Sequence, residues 1–381
     1  MIALSIGKAS YDITIPMDNY PVENTRLTVK EKLEGSGGAA LHVAYLLGRW
    51  NTETYFAGTV GYDDFANSIK KELESVNVHT SFLETNYERK TTTSFILANK
   101  ETTSRTQIMI EPEVYHLKKA DFDFMPDIIY SDGFEYTASV NAFSKYQNAI
   151  TVLGAGLNNA DPKEVLALVK YAKYVVFSLD LAESVTKLKV DVTNPQSLLN
   201  FYRAVKEKFP NCEIIVTLKS AGVLYSVNDN IQYMPTIAVK EVDRTASGDI
   251  FDGAFVYALS RGYDMDKCMR IANIAAGLST TKYGGNQSVP MISDVISYYE
   301  SKFGSLETVV PTGDGSMGQQ AGAPALNNQA PQAPLNNPVP QVNATPVINP
   351  QPSEAFVQAQ GIVNNLQEQN SNGGVNPPPG V

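Results

Sequence analysis

Cysteine is scarce: the chain of 381 residues holds two, Cys212 and Cys268. Two cannot form a disulfide framework, and such sparing use fits a reducing compartment, so a cytoplasmic location is expected. No apolar run approaches the roughly 20 residues that cross a bilayer, and no membrane partner is expected. The opening Met-Ile-Ala-Leu-Ser-Ile-Gly lacks a basic n-region and runs straight into strand-like sequence, so it does not read as a signal peptide. Bases are also in deficit, 30 Lys and Arg against 40 Asp and Glu, a net charge of −10. An acidic chain without a basic stripe is poorly suited to nucleic acid, which excludes that partner class.

Part of this poverty is concentrated at one end. Residues 304–381 contain no Lys or Arg, a single aromatic (Phe356) and 12 of the 21 prolines. Rich in Pro, Asn and Gln, this stretch cannot bury enough surface to offset its ordering entropy and reads as a disordered tail. Within it, 353–366 has Ser353 as a cap and Phe356, Ile362, Val363 and Leu366 loosely on one side. Two readings stay open there: a helix that folds on a partner, or a plain apolar patch.

What remains, residues 1–303, alternates two patterns. Residues 2–6 are a short apolar run ending at Gly7, and 54–57, 174–177 and 213–217 are similar. Between such runs, 39–47 reads as an apolar helix stopped by Gly48, and Phe65, Ile69 and Leu73 recur at helical spacing over 65–76. Further helices are expected at 250–261 and 269–282. Short apolar strands separated by helices predict an α/β fold with a doubly wound, mostly parallel sheet. Two segments depart from this rhythm: about 10–33 reads as extended, and about 91–112 as a hairpin around the polar 99–104. They predict a small β sheet attached to the main layer, either a lid or an ordinary exposed edge.

Chemistry concentrates in Asp243-Arg-Thr-Ala-Ser-Gly-Asp249, directly before an apolar helical run. Small residues at a helix start (Ala246, Ser247, Gly248) leave backbone N–H groups and the macrodipole facing outward, which suits a phosphate. Asp249, in the first turn beside that anion hole, is placed to take a proton from a hydroxyl attacking a phosphoryl group. Its plainer reading is an N-terminal capping acid.

The segment resembles the second signature of the PfkB family of carbohydrate kinases, whose fold is ribokinase-like. The family form is Asp-Thr-x-Gly-Ala-Gly-Asp; here Arg244, Ala246 and Ser247 replace Thr (or Pro), Gly and Ala, while Gly248 and Asp249 keep their places. Gly37-Gly-Ala-Ala-Leu-His-Val-Ala44 and Gly58-Thr-Val-Gly-Tyr-Asp-Asp-Phe65 resemble the first signature. The likeness covers roughly 2–300, with the segments in family order. It implies an ATP-dependent kinase acting on a sugar hydroxyl, with Asp249 as catalytic base and 246–248 as anion hole. Gly37 and Gly38 would offer backbone groups to the sugar. Asp12 falls where the family has a sugar-binding Asp; an Asp making its own turn is the alternative. His42 stands where the family carries Asn, and reads either as a substrate contact or as a buried helix histidine.

For the nucleotide, Thr217-Leu-Lys-Ser-Ala-Gly222 resembles a Thr-Leu-Gly-x-x-Gly loop, with Lys219 in place of the first Gly. Lys219 is either a phosphate contact or solvated. Asp180-Leu-Ala-Glu183 falls at the family's Asn-x-x-Glu, which makes Glu183 an indirect candidate for Mg²⁺. Asn273 is the polar candidate in the helix walling the adenine pocket, with capping or packing as its alternative. Arg89, Lys90 and Arg105, near the lid segments, read either as a grip on an anionic group of the substrate or, more simply, as exposed lid charges. The resemblance implies ATP and Mg²⁺, leaves a monovalent cation open, and brings a homodimer through the lid into view. Two alternatives stand beside the sugar kinase: a nucleoside kinase of the same fold, and a non-catalytic descendant that docks partners. The retained Asp249 speaks against the last.

Overall fold

The most apolar runs of the chain pair side by side. The computed structural model describes residues 1–113, 115–117, 121–156 and 160–306; the expected tail from 307 onward and its 353–366 island lie outside these residues. The strands are β1 (Ile2–Ile6), β2 (Ser10–Met17), β3 (Leu33–Gly37), β4 (Glu53–Gly61), β5 (Val78–Asn86), β6 (Thr93–Asn99), β7 (Arg105–Ile110), β8 (Ile128–Ser131), β9 (Ile150–Ala155), β10 (Tyr174–Ser178), β11 (Glu213–Thr217), β12 (Val223–Val227) and β13 (Asn230–Met234). The helices are α1 (Ala39–Arg49), α2 (Asp64–Ser75), α3 (Tyr136–Lys145), α4 (Pro162–Leu168), α5 (Leu179–Thr186), α6 (Pro195–Lys208), α7 (Ser247–Ser260), α8 (Met265–Ser279) and α9 (Ile292–Phe303).

The main sheet has the order β13-β12-β11-β10-β9-β8-β1-β4-β5. From β11 to β5 every pairing is parallel, and β12 and β13 finish one edge antiparallel. Helices α3 to α6 bury their apolar faces on one side of it, and α1, α2 and α7 to α9 on the other. Strands buried on both faces need not alternate, which is why the sequence shows continuous runs such as Ile128–Ser131. The chain reverses its direction of travel across the sheet between β1 and β8. In such sheets the crevice outside the carboxyl ends of the strands at that point is where ligands bind.

A second sheet, β3-β2-β6-β7, pairs β2 with β6 in parallel and its other neighbours antiparallel. The extended reading of 10–33 is correct only at its two ends. Residues 18–32 carry no strand, and Leu27 and Val29 are exposed rather than laddered. Gly48 is corrected as well: it does not stop α1 but lies inside it. A Cβ there would meet the Val76 carbonyl oxygen at 2.5 Å, so this glycine lets α1 approach the chain after α2. Helix α8 begins earlier than its apolar pattern, because the Asp264 carboxylate caps it by accepting from the Lys267 amide at 2.9 Å. Helices α1 and α7 lie against each other, with the ideal Cβ position of Gly253 only 3.3 Å from Leu46. Among the described residues no helix is long and apolar enough to cross a membrane.

Candidate active site

At or just past the carboxyl ends of β8, β9, β10 and β11 stand Asp132, Gly156, Ser178 and Thr217, all on the wall of one cavity of about 190 Å³. The second sheet contributes Asp12 from β2 and Arg105 from β7, while α1 contributes His42 and α7 contributes Asp249. A larger cavity, about 390 Å³, adjoins it and is lined by Lys219, Gly222, Ser247, Phe251 and Asn273 among others. Arg105, Ser178, Thr217 and Gly248 line both. The start of α7 is therefore the partition between two chambers.

That start is built by an unusual backbone. Ala246, the residue before α7, sits at φ 58°, ψ 7°, the left-handed region a glycine adopts freely. This turn aims the first amides of the helix outward. Of the three residues expected there, Ser247 commits its amide to the Arg244 carbonyl at 3.3 Å. Among the described residues the amides of Ala246, Gly248 and Asp249 have no protein acceptor, so of the expected three Ser247 alone is taken, and Asp249 adds a further open donor. A Cβ on Gly248 would meet nothing within 4 Å, so the approach to them is clear.

Asp249 Oδ2 lies 3.9 Å from His42 Nε2, with the Asp249 side chain 30% exposed into the smaller cavity. Burial pushes its carboxyl above the ordinary carboxylate range, and the nearby His42 and Arg105 pull it back. Asp12 behaves alike: burial raises it, His42 and the Ser10 hydroxyl, which donates to Oδ1 at 2.9 Å, lower it, and the charge of Asp249 adds to the rise. Gly37 is not on the cavity wall. A side chain there would fall 2.2 Å from the Asp12 carboxylate, so its absence makes room for Asp12. Gly38, at φ 109°, does line the cavity, and its backbone approaches Lys8 too closely for any Cβ.

In the larger cavity, Lys219 also adopts a left-handed backbone, φ 56°, at the place of the family's glycine. Its ammonium donates to Asp180 Oδ1 at 2.7 Å, and both side chains are exposed. Thr217 closes β11 and donates its hydroxyl to the Phe177 carbonyl at 3.3 Å. Gly222, at φ 117°, lies against the Met234 carbonyl. Asn273 uses its amide to hold the Pro235 carbonyl at 2.5 Å. Glu183 lines neither cavity: it accepts from Lys189 and from the Val190 amide in the turn after α5, and the carboxylates that do reach the larger cavity are Asp180 and Glu241.

Several groups in the smaller cavity carry no motif. Asp132 accepts from the amides of Phe134 (3.0 Å), Lys8 (3.1 Å) and Ala40 (3.2 Å), and burial holds its carboxyl up at about 6 despite these bonds. Asp252, buried in α7, accepts from the Tyr130 hydroxyl at 2.7 Å, and burial keeps it well above its usual range. Arg105 donates through Nη1 to the Arg244 carbonyl at 2.8 Å, joining the second sheet to the loop before α7; it lines both cavities and is not merely an exposed lid charge. The polar residue after an apolar strand was a usable signal for Asp132. Nothing local marks the other two.

Two adjoining chambers, one rimmed by carboxylates and the other by lysine, arginine and open amides, are the arrangement of an enzyme that passes a group from one small molecule to another. The chain belongs to the pfkB family of carbohydrate kinases, whose description matches residues 3–292, and is thus a phosphotransferase with an alcohol group as acceptor. It is similar to the ribokinase of Staphylococcus aureus, 26% identical over 306 residues that cover 76% of this chain and 97% of that protein. It is 23% identical over 300 residues to a nucleoside kinase of Methanocaldococcus jannaschii, covering 77% of this chain and 95% of the other. The ribokinase of Arabidopsis thaliana, solved with ribose and ATP, shares the fold with a TM-score of 0.64 at 19% identity, covering 78% of this chain and 97% of that one.

Proposed function

We propose that this protein transfers the γ-phosphoryl group of ATP to a hydroxyl of a sugar, with Asp249 as the general base. The observation that carries this reading is the position of Gly248 and Asp249: open amides and a carboxylate at the start of α7, where Gly248 lines both cavities and Asp249 the smaller one. The acceptor occupies the smaller cavity, where Asp12, the backbone of Gly38 and His42 meet its hydroxyls. A carboxylate can take two neighbouring hydroxyls at once, which suits a polyol. The reacting hydroxyl gives its proton to Asp249. A carboxyl raised by burial is a better base than one in water, provided it remains ionised at the working pH.

The nucleotide occupies the larger cavity. Its phosphates approach the free amides of Gly248 and Asp249, where the α7 dipole favours the charge that builds up during transfer. Arg105, shared by both chambers, and Lys219 add positive charge around them. Among the described residues no group of three or more carboxylate, His or Cys side chains could cage a metal. Mg²⁺ would accordingly be held by the phosphates and water, with Asp180 and Glu241 as the carboxylates within the cavity. When bound, it would neutralise phosphate charge.

The second sheet serves as the lid, and the Arg105 bond to the Arg244 carbonyl fastens it across both chambers. A closed lid keeps water from competing as acceptor. The outer strand β7 leaves Ile108 and Ile110 exposed, 52% and 59%, and we place self-association of two copies there. Buried free Cys212 and Cys268 fit a reducing cytoplasm. The test is a coupled ADP-release screen over pentoses, hexoses, sugar acids, sugar phosphates and nucleosides, with Asp249→Asn as control. Release stimulated by a sugar and abolished in the variant is expected. Stimulation by nucleosides alone would reassign the acceptor, and a fully active variant would remove Asp249 as base.

A further inference from the structure

His42 lines the smaller cavity at the place of the family's Asn, and its ring is held on two sides. Its Nδ1 lies 2.8 Å from Asn286 Oδ1. Asn286 is 1% exposed, and its Nδ2 points to the Ser36 hydroxyl at 2.9 Å, the Glu72 carboxylate at 3.2 Å and the Ser36 carbonyl at 3.4 Å. The Ser36 amide and hydroxyl both donate to Glu72 Oε2, at 2.7 and 2.8 Å. Beneath the ring, the ideal Cβ position of Gly285 is 2.4 Å from His42 Cε1, so only a glycine there lets the ring lie flat on the turn.

Donor and acceptor rules fix the direction of this chain. A carboxylate and a carbonyl only accept, so the Asn286 NH₂ must face Glu72 and Ser36, and its Oδ1 must face His42. That oxygen also only accepts, so the proton of the imidazole belongs on Nδ1. We infer that Glu72, Ser36 and Asn286 form a positioning chain that holds His42 as its Nδ1–H tautomer and directs the Nε2 lone pair into the acceptor cavity to receive a substrate hydroxyl. The inference rests on the proposed kinase reading for its purpose. It gives this protein a recognition rule that an amide at position 42 would not impose. An amide can donate or accept; this imidazole only accepts, so the acceptor must present a hydroxyl proton beside the one that Asp249 removes. The spacing allows it, since two neighbouring hydroxyl oxygens, one about 2.8 Å from Nε2 and the other about 2.8 Å from Asp249 Oδ2, fit across atoms 3.9 Å apart, each donating its own proton.

The chain is tested by long-range ¹H–¹⁵N NMR of the full-length protein, which has three histidines; His42→Asn assigns the signal. The wild type is expected to show the Nδ1–H pattern without substrate. In Asn286→Ala that pattern should be lost, and KM for the acceptor should rise about tenfold, the loss of one hydrogen bond, with a smaller change in kcat. Should Asn286→Ala fail to fold, Asn286→Asp keeps an oxygen on Nδ1 but draws a second proton onto the ring. The spectrum then moves to the doubly protonated pattern, and KM rises likewise. An Nε2–H or doubly protonated ring in the wild type overturns the inference, as does an Asn286 variant with unchanged tautomer and KM. A wild type without kinase activity overturns the functional reading instead, while the spectrum still decides the tautomer.

Discussion

The two chambers on either side of α7 are made differently. The acceptor chamber is set by buried groups with several partners each: Asp132 takes three backbone amides, Asp252 takes Tyr130, and His42 ends a hydrogen-bonded chain. The nucleotide chamber uses exposed charges in single pairs, Lys219 with Asp180 and Arg244 with Glu241. Buried networks fix geometry because a lost partner leaves an unsatisfied group, whereas an exposed ion pair contributes about 0–1 kcal/mol. The difference teaches where substitutions are tolerated. In the proposed reading phosphates meet backbone amides, which side-chain changes leave intact, and this chain differs from the family form there at Arg244, Ala246, Ser247 and Lys219.

The sharpest way to break the comparison is at the shared wall. Asp249→Asn should lower kcat by about 10²–10⁴ with an unchanged melting temperature. Next comes Gly38→Ala, which forces a Cβ into the Lys8 carbonyl at φ 109°. It should cost about 2 kcal/mol or more of stability and raise KM for the acceptor before that for ATP, as denaturant titration and steady-state kinetics would show.

Proton linkage gives the third. Because Asp249 must be ionised to act and its carboxyl is raised, kcat/KM should fall as pH drops through a value above the usual carboxylate range. Asp132 can be followed in the folding equilibrium itself. Its folded value is about 6 against an ordinary 3.8, so the folded state holds a proton that the unfolded state releases, and stability falls as pH rises across that window. The deficit of Asp132→Asn relative to wild type should therefore shrink from pH 4 to 6, measured by urea unfolding.

Smaller effects belong to the nucleotide side. Lys219→Ala should raise KM for ATP a few-fold and barely change stability, since its pair is solvent-exposed. Ala246→Gly should stabilise by about 0.5 kcal/mol, the left-handed penalty being partly offset by the freer unfolded chain. A larger loss on the nucleotide side than on the acceptor side would reverse the contrast.

What the sequence disclosed follows the range of the forces involved. Parallel strands announced themselves because burial on both faces demands continuous apolar residues, as in Tyr174–Ser178. The base and the glycine beside it stood out because a helix start needs small residues in fixed order. The surroundings of Glu183 were not legible, because they are set by Lys189 and the Val190 amide in the following turn, which no motif describes. The turn at Ala246 takes the Ser247 amide back to the Arg244 carbonyl, a backbone fact no side chain reveals. Asn286 was overlooked, and the Arg105 bond to the loop before α7 could not be foreseen, for a common reason: their partners lie 244 and 139 positions away in the chain.

The packing of α1 on α7 carries one more implication. His42 and Asp249 sit on these two helices, and Gly253 lets the axes close to where its missing methyl would touch Leu46 at 3.3 Å. The helices thus work as the jaws of a caliper, and the gap across which a hydroxyl is gripped is dialled at their waist by one hydrogen atom. Evolution could widen that gap for a bulkier guest by adding a methyl at 253, leaving every residue that meets the guest untouched.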